Sequence, residues 1–424
     1  MQVLTSPQTV LVWAIAAAAI AGVIFRPRKW PEAVWACAGA ALLVLFGSVS
    51  PMSAIGAIGK GTNVYLFLTG MMLLAELARL KGVFDWLAAL AVRASKGSHA
   101  RLFTLVYCVG VLVTVFLSND ATAVVLTPAV YAAVKRARAH PLTYLFICAF
   151  VANAASFVLP ISNPANLIVY GKTLPPLGPW LRTFLLPSIF SIAATYAALR
   201  WASRGNVSGT VNDRSCSTTQ ILSVEGKRAA SGIAASAVAL ILASAFGLNL
   251  GLPACAVAIV SVLIATRFRW SALRDVTAGV AWSVLPLVAG LFILVEGLNR
   301  AGSLAAISHS LRVFESMPRP TGELAAAFGI AALSNLVNNL PAGLLAGSAI
   351  QAVQIAPRIR DSVLIGVNLG PNLSVTGSLA TVLWLIALRR EGVEMSPWQF
   401  LKLGATVMPP ALILATLALS WAAR

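Results

Sequence analysis

Apolar residues along this chain form runs long enough for a lipid bilayer, broken in a few places by short polar strings. A helix that crosses the hydrocarbon core needs about 20 apolar residues. Such runs lie near residues 9–25, 33–50, 62–80, 142–170, 180–201, 229–248, 252–267, 281–299, 360–388 and 398–421. Shorter pieces remain: 101–117 and 121–135 flank Ser118-Asn119-Asp120, while 324–334 and 340–356 flank a second polar string. Non-helical backbone at membrane depth survives only inside protein or beside water, so each short pair reads as a re-entrant hairpin. The pattern predicts an all-α polytopic membrane protein of ten spans and two hairpins. Twelve spans, with every hairpin arm crossing, is the other count it allows.

Composition agrees with a membrane chain. Of 424 residues, 59% are hydrophobic and 10% charged, against about 25% charged in soluble domains; the mean hydropathy is +0.86. A net charge of +18 would suggest nucleic acid in a soluble protein. Here Lys and Arg gather in 26–30, 79–101, 135–140, 200–228, 267–274 and 388–390. Ten spans and two hairpins put these segments on one side, as the positive-inside rule requires, with both termini outward. The lipid bilayer is the expected partner, and nucleic acid is not. No basic segment precedes the first apolar run and RPRKW follows it, so that run reads as a retained span rather than a cleaved signal.

The longest polar stretch, 202–228, reads as a cytoplasmic linker between an N-terminal unit, 1–201, and a C-terminal unit, 229–424. The two units resemble each other. LTGMMLLAELARLKG (68–82) aligns with VAGLFILVEGLNRAG (288–302), matching Gly70 to Gly290, Glu76 to Glu296 and Gly82 to Gly302. FLSNDAT (116–122) aligns with ALSNLVN (332–338), pairing Ser118-Asn119 with Ser334-Asn335 and Asp120 with Leu336. Further on, Asn166-Leu167 matches Asn372-Leu373. General apolar likeness does not produce matched glutamates and Ser-Asn pairs. Five spans per unit is an odd number, so the second unit must insert upside down. Inverted repeats of this kind place a substrate site at the repeat interface near midplane.

Each unit then offers two polar interruptions. The hairpins, about 101–135 and 324–356, carry Ser118, Asn119, Asp120 and Thr122 at one tip, and Ser334, Asn335, Asn338 and Asn339 at the other. The broken spans, about 142–170 and 360–388, carry Ser162, Asn163 and Asn166, and Asn368, Asn372, Ser374 and Thr376. Pro and Gly within those spans unwind the helix and release backbone carbonyls and amides. Asn, Ser and Thr add neutral donors and acceptors. Such groups suit a small oxygen-rich solute or a dehydrated ion, bound in a cavity that both tips face. Asp120 has no acidic counterpart. Desolvation disfavours a carboxylate's charged form, and an intramembrane acid that takes and loses a proton is the usual element of proton coupling. Glu76 and Glu296 are rival carriers, with pairing to Arg79 and Arg300 as the plainer role for them.

FLSNDATAVVLTP, LPISNPANLIV and ALSNLVNNLPAGLLAG together resemble the arsenite/antimonite efflux permeases of the ion transporter superfamily, over essentially the whole chain. The resemblance implies export of arsenite and antimonite hydroxides in exchange for protons, by elevator-like or rocking motion, in a bacterial or archaeal cytoplasmic membrane. It also implies a homodimer, and in some members association with a separate soluble arsenite-stimulated ATPase. Sodium-coupled relatives carry Ser-Asn-Thr at both tips. Here the tips read Ser-Asn-Asp and Ser-Asn-Leu, which favours one protonatable site over two sodium ions.

Other classes fare less well. A sodium- or proton-coupled carrier of another small anion stays open, but no basic side chain sits at either tip or in either broken span. The pore of an ATP-driven arsenite pump also stays open, and its ATPase would be a separate chain because no GxxxxGK[ST] motif is present. An intramembrane enzyme would need chemistry such as HExxH, which is absent. The five cysteines form no CxxC pair and the three histidines no metal-ligand spacing, so neither metal nor cofactor is expected. Cys108 and Cys148 read as apolar packing residues.

Overall fold

The computed structural model describes residues 7–171, 174–205 and 222–422. These form helices joined by turns and two irregular breaks, with no strand among the described residues. In the first half they are α1 (Pro7–Phe25), α2 (Glu32–Leu45), α3 (Pro51–Lys60), α4 (Thr62–Leu80), α5 (Val83–Ala94) and α6 (His99–Phe116). Next come the single turn α7 (Asn119–Ala121), then α8 (Thr127–Arg136), α9 (Pro141–Ala154), α10 (Pro164–Tyr170) and α11 (Leu177–Ala202). The second half has α12 (Val224–Ala245), α13 (Gly251–Thr266), α14 (Trp270–Gly279), α15 (Val284–Arg300) and α16 (Ser303–Ser316). It continues with α17 (Thr321–Val337), α18 (Asn339–Val353), α19 (Pro357–Leu369), α20 (Leu379–Arg390) and α21 (Pro397–Ala422).

Seven helical segments among the described residues are long and apolar enough to cross a membrane: α1, α4, α6, α11, α12, α21 and the stretch Trp270–Arg300. The apolar helices α2, α9, α13 and α17 are shorter. Where hairpins were expected the chain has α6 followed by α7–α8 and α17 followed by α18, and where broken spans were expected it has α9–α10 and α19–α20. Counting apolar runs against bilayer thickness overlooked α3, α5, α14 and α16, whose mixed polar composition and short length hide them from that test. Helix α12 begins at Val224, inside the stretch expected as linker. Most of that linker, with Cys216, lies outside the described residues.

The two halves pack on each other reciprocally. Helix α4 lies against α13 and α15 against α2; α5 lies on α8 and α16 on α18. Helix α10 packs on α18, and α20 on α8 and the turn before it, while α11 and α21 pack together. The two glycine pairs matched between the halves have matching duties. A Cβ at Gly70 would sit 2.5 Å from the Ala254 backbone, and one at Gly290 2.8 Å from that of Ala36. Both glycines therefore permit close helix crossings. Gly82 and Gly302 adopt left-handed φ values of 69° and 94° just before α5 and α16, where a side chain would be strained.

Two of the expected matches are corrected by the helix register. The second arm of the first hairpin is capped by Ser118, whose Oγ accepts the Ala121 N–H at 3.1 Å. In the second hairpin the same place belongs to Asn338, whose Oδ1 accepts the Leu340 N–H at 3.3 Å. Ser118-Asn119 therefore corresponds to Asn338-Asn339, and Ser334-Asn335 lie one turn earlier, inside α17. Asp120 corresponds to a leucine in either register, Leu340 instead of Leu336. In the broken spans the caps of α10 and α20 are Asn163 and Ser378, and Asn153 and Asn368 stand next to last in α9 and α19. Asn166 and Asn372 are not counterparts. Short identities in apolar sequence slide easily by one helical turn, because i and i+4 share a helix face.

Candidate functional site

At the first hairpin tip, local hydrogen bonds hold all but one polar side chain. Asn119 Oδ1 accepts the Asp120 N–H at 3.0 Å. The Thr122 hydroxyl lies 2.8 Å from that of Thr114, so the two arms are tied together just below the tip. Residues Thr122–Leu126 form a π-helical turn, a feature that often marks functional segments. Helix α18 has no such turn. Asp120 is half-buried, and its carboxylate has no hydrogen-bond or ion-pair partner among the described residues.

The asparagines of the broken spans bind one another across the interface of the halves. Asn368 Oδ1 accepts from Asn163 Nδ2 at 2.8 Å and from Ser156 Oγ at 2.5 Å. Asn368 Nδ2 donates to Asn166 Oδ1 at 3.0 Å. Asn153 Nδ2 donates to Asn372 Oδ1 at 2.9 Å, and Asn372 Nδ2 to the Phe150 carbonyl at 3.1 Å. All six side chains are buried. Carbonyls freed by the first break are taken up by Asn166 Nδ2, which reaches Ser156 O at 2.9 Å, and by Trp180 Nε1, 3.2 Å from Phe157 O. Ser162 Oγ ties the break to the first hairpin through Val115 O at 3.0 Å. Sequence reasoning missed Asn153 and Ser156, though both interrupt the apolar string AFVANAASFVL.

The second tip is similarly braced. Asn335 Nδ2 donates to Gly370 O at 2.8 Å, its Oδ1 accepts from Ser374 Oγ at 2.5 Å, and its carbonyl accepts from Thr376 Oγ1 at 3.2 Å. Asn338 Nδ2 lies 3.3 Å from Thr376 O. Ser334 Oγ and Asn339 Oδ1 are buried without a hydrogen-bond partner among the described residues.

Residues at the first tip and beside the second line separate hollows rather than a shared one. Ser118 and Asp120 line a cavity of about 90 Å³ between the first hairpin, α4, the α14–α15 junction, Pro164 and Leu383. Asn335 and Thr376 line a wider, largely apolar hollow of about 640 Å³ bounded by α1, α15, α16, α17 and α18. Helix α4 turns Leu68, Met71, Met72, Ala75 and Glu76 to the smaller cavity, the i, i+3, i+4, i+7 stripe of one helix face. Glu76 is only 6% exposed, and Arg79 holds its carboxylate through Nε at 2.8 Å and Nη2 at 2.5 Å. A side chain at Gly279 would collide with that carboxylate. Glu296 lies elsewhere, paired with Lys60 at 3.1 Å and Arg300 at 3.2 Å. Of the three candidate carboxylates, two are neutralised by cations and Asp120 is not.

A second charged cluster escaped sequence reasoning. Fully buried Glu323 meets Arg319 at 3.2 Å and Arg358 at 3.1 Å, beside the Asp361–Arg360 pair, in a pocket of about 500 Å³. No lysine or arginine lines the Asp120 cavity, and no described cysteine lines it either.

Comparison with known proteins agrees with a transporter. The sequence model described as "Citrate transporter" matches residues 13–389. The chain belongs to that family. An arsenical pump membrane protein of Yersinia enterocolitica is 27% identical over 94% of this chain and 95% of its own length. The arsenical pump membrane protein of Escherichia coli K12 is 26% identical with the same coverage, and a putative one of Bacillus subtilis 24% over 91% and 93%. Among solved structures, the Alcanivorax borkumensis YdaH transporter has a similar fold, with a TM-score of 0.55 at 16% identity over 87% of this chain and 86% of that one. This member of the citrate transporter family is thus an integral membrane transporter and not an enzyme.

Proposed function

We propose that the protein exports arsenite and antimonite, as neutral trihydroxides, from the cytoplasm in exchange for protons. The two halves, inserted in opposite senses in a bacterial or archaeal cytoplasmic membrane, expose the site to either side in turn. The observation that carries this reading is the cavity at the first tip, with one unneutralised carboxylate and no cationic lining residue. Citrate, a multiple anion, would have to shed water there without counter-charge, at a large cost in free energy. A small neutral trihydroxide needs only acceptors and donors, which Asp120 and Ser118 supply. The names of the similar arsenical pump membrane proteins point the same way.

The role proposed for Asp120 follows from its surroundings. Its carboxylate can hold a proton or accept a substrate hydroxyl, and the two compete for the same oxygens. Such competition is what an exchanger requires. Ser118 presents the tip, and the buried asparagine network keeps the broken spans in register while hairpin and α4 move past each other. Everted membrane vesicles supplied separately with arsenite, antimonite and citrate test the substrate. Uptake of the two metalloids and exclusion of citrate is expected; uptake of citrate alone refutes the proposal.

A further inference from the structure

Met71 and Met72 are consecutive residues of α4, and both line the cavity that holds Asp120. Apart from Ser118, Asp120 and Glu76, no other lining residue carries a side-chain heteroatom. Leucine, valine or alanine would close an apolar wall as well. Methionine adds a polarisable thioether, a soft donor that favours soft centres. A trivalent arsenic or antimony hydroxide is itself two-faced, with hydroxyls on one side and a soft, polarisable central atom on the other. Asp120 and Ser118 supply the hard side of the cavity, and the α4 stripe faces it across a space of about 90 Å³.

Resting on the proposed metalloid transport, we infer that Met71 and Met72 are specificity-determining residues whose thioethers contact the central metalloid atom while the hairpin tip holds its hydroxyls. No bond to sulfur forms, so release stays fast, unlike capture by a set of thiolates. Antimony is the softer of the two atoms, so the thioethers favour antimonite over arsenite. The methionines thereby set the ratio between the two substrates, and Asp120 sets the coupling.

The test uses the full-length protein in everted vesicles, comparing wild type with Met71→Leu, Met72→Leu and the double variant. Leu and Met exchange with little change in volume, and the amount of inserted protein is measured for each. The expected result for the double variant is a rise in KM for antimonite of about five-fold, roughly 1 kcal/mol, with a smaller rise for arsenite and kcat kept. An equal change for both substrates would assign the methionines to packing and overturn the inference, as would no change at all. Should a variant fail to insert, competition between the two metalloids in wild type decides: antimonite must displace arsenite at the lower concentration, and the reverse order overturns the inference. If wild type moves neither metalloid, the functional proposal itself fails, a result distinct from transport with an unchanged ratio.

Discussion

Asn338 holds φ 75° and ψ 152° at the second hairpin tip, a conformation open essentially to glycine and costing other residues on the order of 1–3 kcal/mol. Its side chain compensates by capping Leu340 and reaching Thr376 O. Asn338→Gly should therefore raise the thermal midpoint or leave it unchanged, yet slow transport by loosening the tip. Melting of detergent-solubilised protein and vesicle uptake measure the two effects, and a lower midpoint with normal transport would refute the strain argument. At this scale the sequence was informative where a residue broke the apolar pattern conspicuously. Ser118 and Asp120 stand out in FLSNDAT, and of the three candidate carboxylates Asp120 is the one with no ion pair among the described residues. Asn153 was passed over because a single Asn in an apolar helix has no visible partner until the second broken span folds against it. The same blindness hid the ion pair of Glu323 with Arg358, which sits on α19, whereas Arg319 is four residues away in sequence.

The broken spans depend on each other more than on their own helices. Asn368 binds Asn163, Asn166 and Ser156 at once, so Asn368→Leu leaves Asn163 Nδ2 and Asn166 Oδ1 buried without partners, while Ser156 Oγ keeps its bond to Asn153 O. Each such group costs about 1–3 kcal/mol, and the variant should melt markedly lower or fail to insert. Ser156→Ala removes one cross-half bond, leaves Asn368 Oδ1 its bond from Asn163, and should cost less. The ordering of the two midpoints is the measurement, and equal midpoints would contradict the network. In the first hairpin, the Thr114–Thr122 hydroxyl pair joins the arms. The corresponding place in the second hairpin pairs Ser334 with Ala342, and Ser334 Oγ is left buried without a partner. Ala342→Ser should supply one and stabilise the protein by about 1 kcal/mol, detected as a higher melting midpoint; no gain would tell against the corrected register. Hairpins and breaks were legible in the sequence because Pro, Gly and Asn interrupt apolar runs. Their register was not, since identity over a few residues cannot distinguish positions one helical turn apart.

Across the whole molecule, the two halves meet through paired helix crossings. Gly70 and Gly290 mark the two equivalent crossings of α4 on α13 and α15 on α2. The halves are alike in frame and unlike in chemistry. A carboxylate and a π-turn occupy the first tip, while a strained asparagine and an apolar hollow occupy the second. The proposed exchange places the competition between proton and substrate at the first tip. The most direct test is arsenite uptake into everted vesicles, driven in turn by a pH gradient, a sodium gradient or ATP, for wild type and for Asp120→Asn inserted to the same level. The account predicts uptake driven by the pH gradient alone in wild type, and its loss in Asp120→Asn. Uptake that requires sodium or ATP, or full proton coupling in the variant, would contradict it.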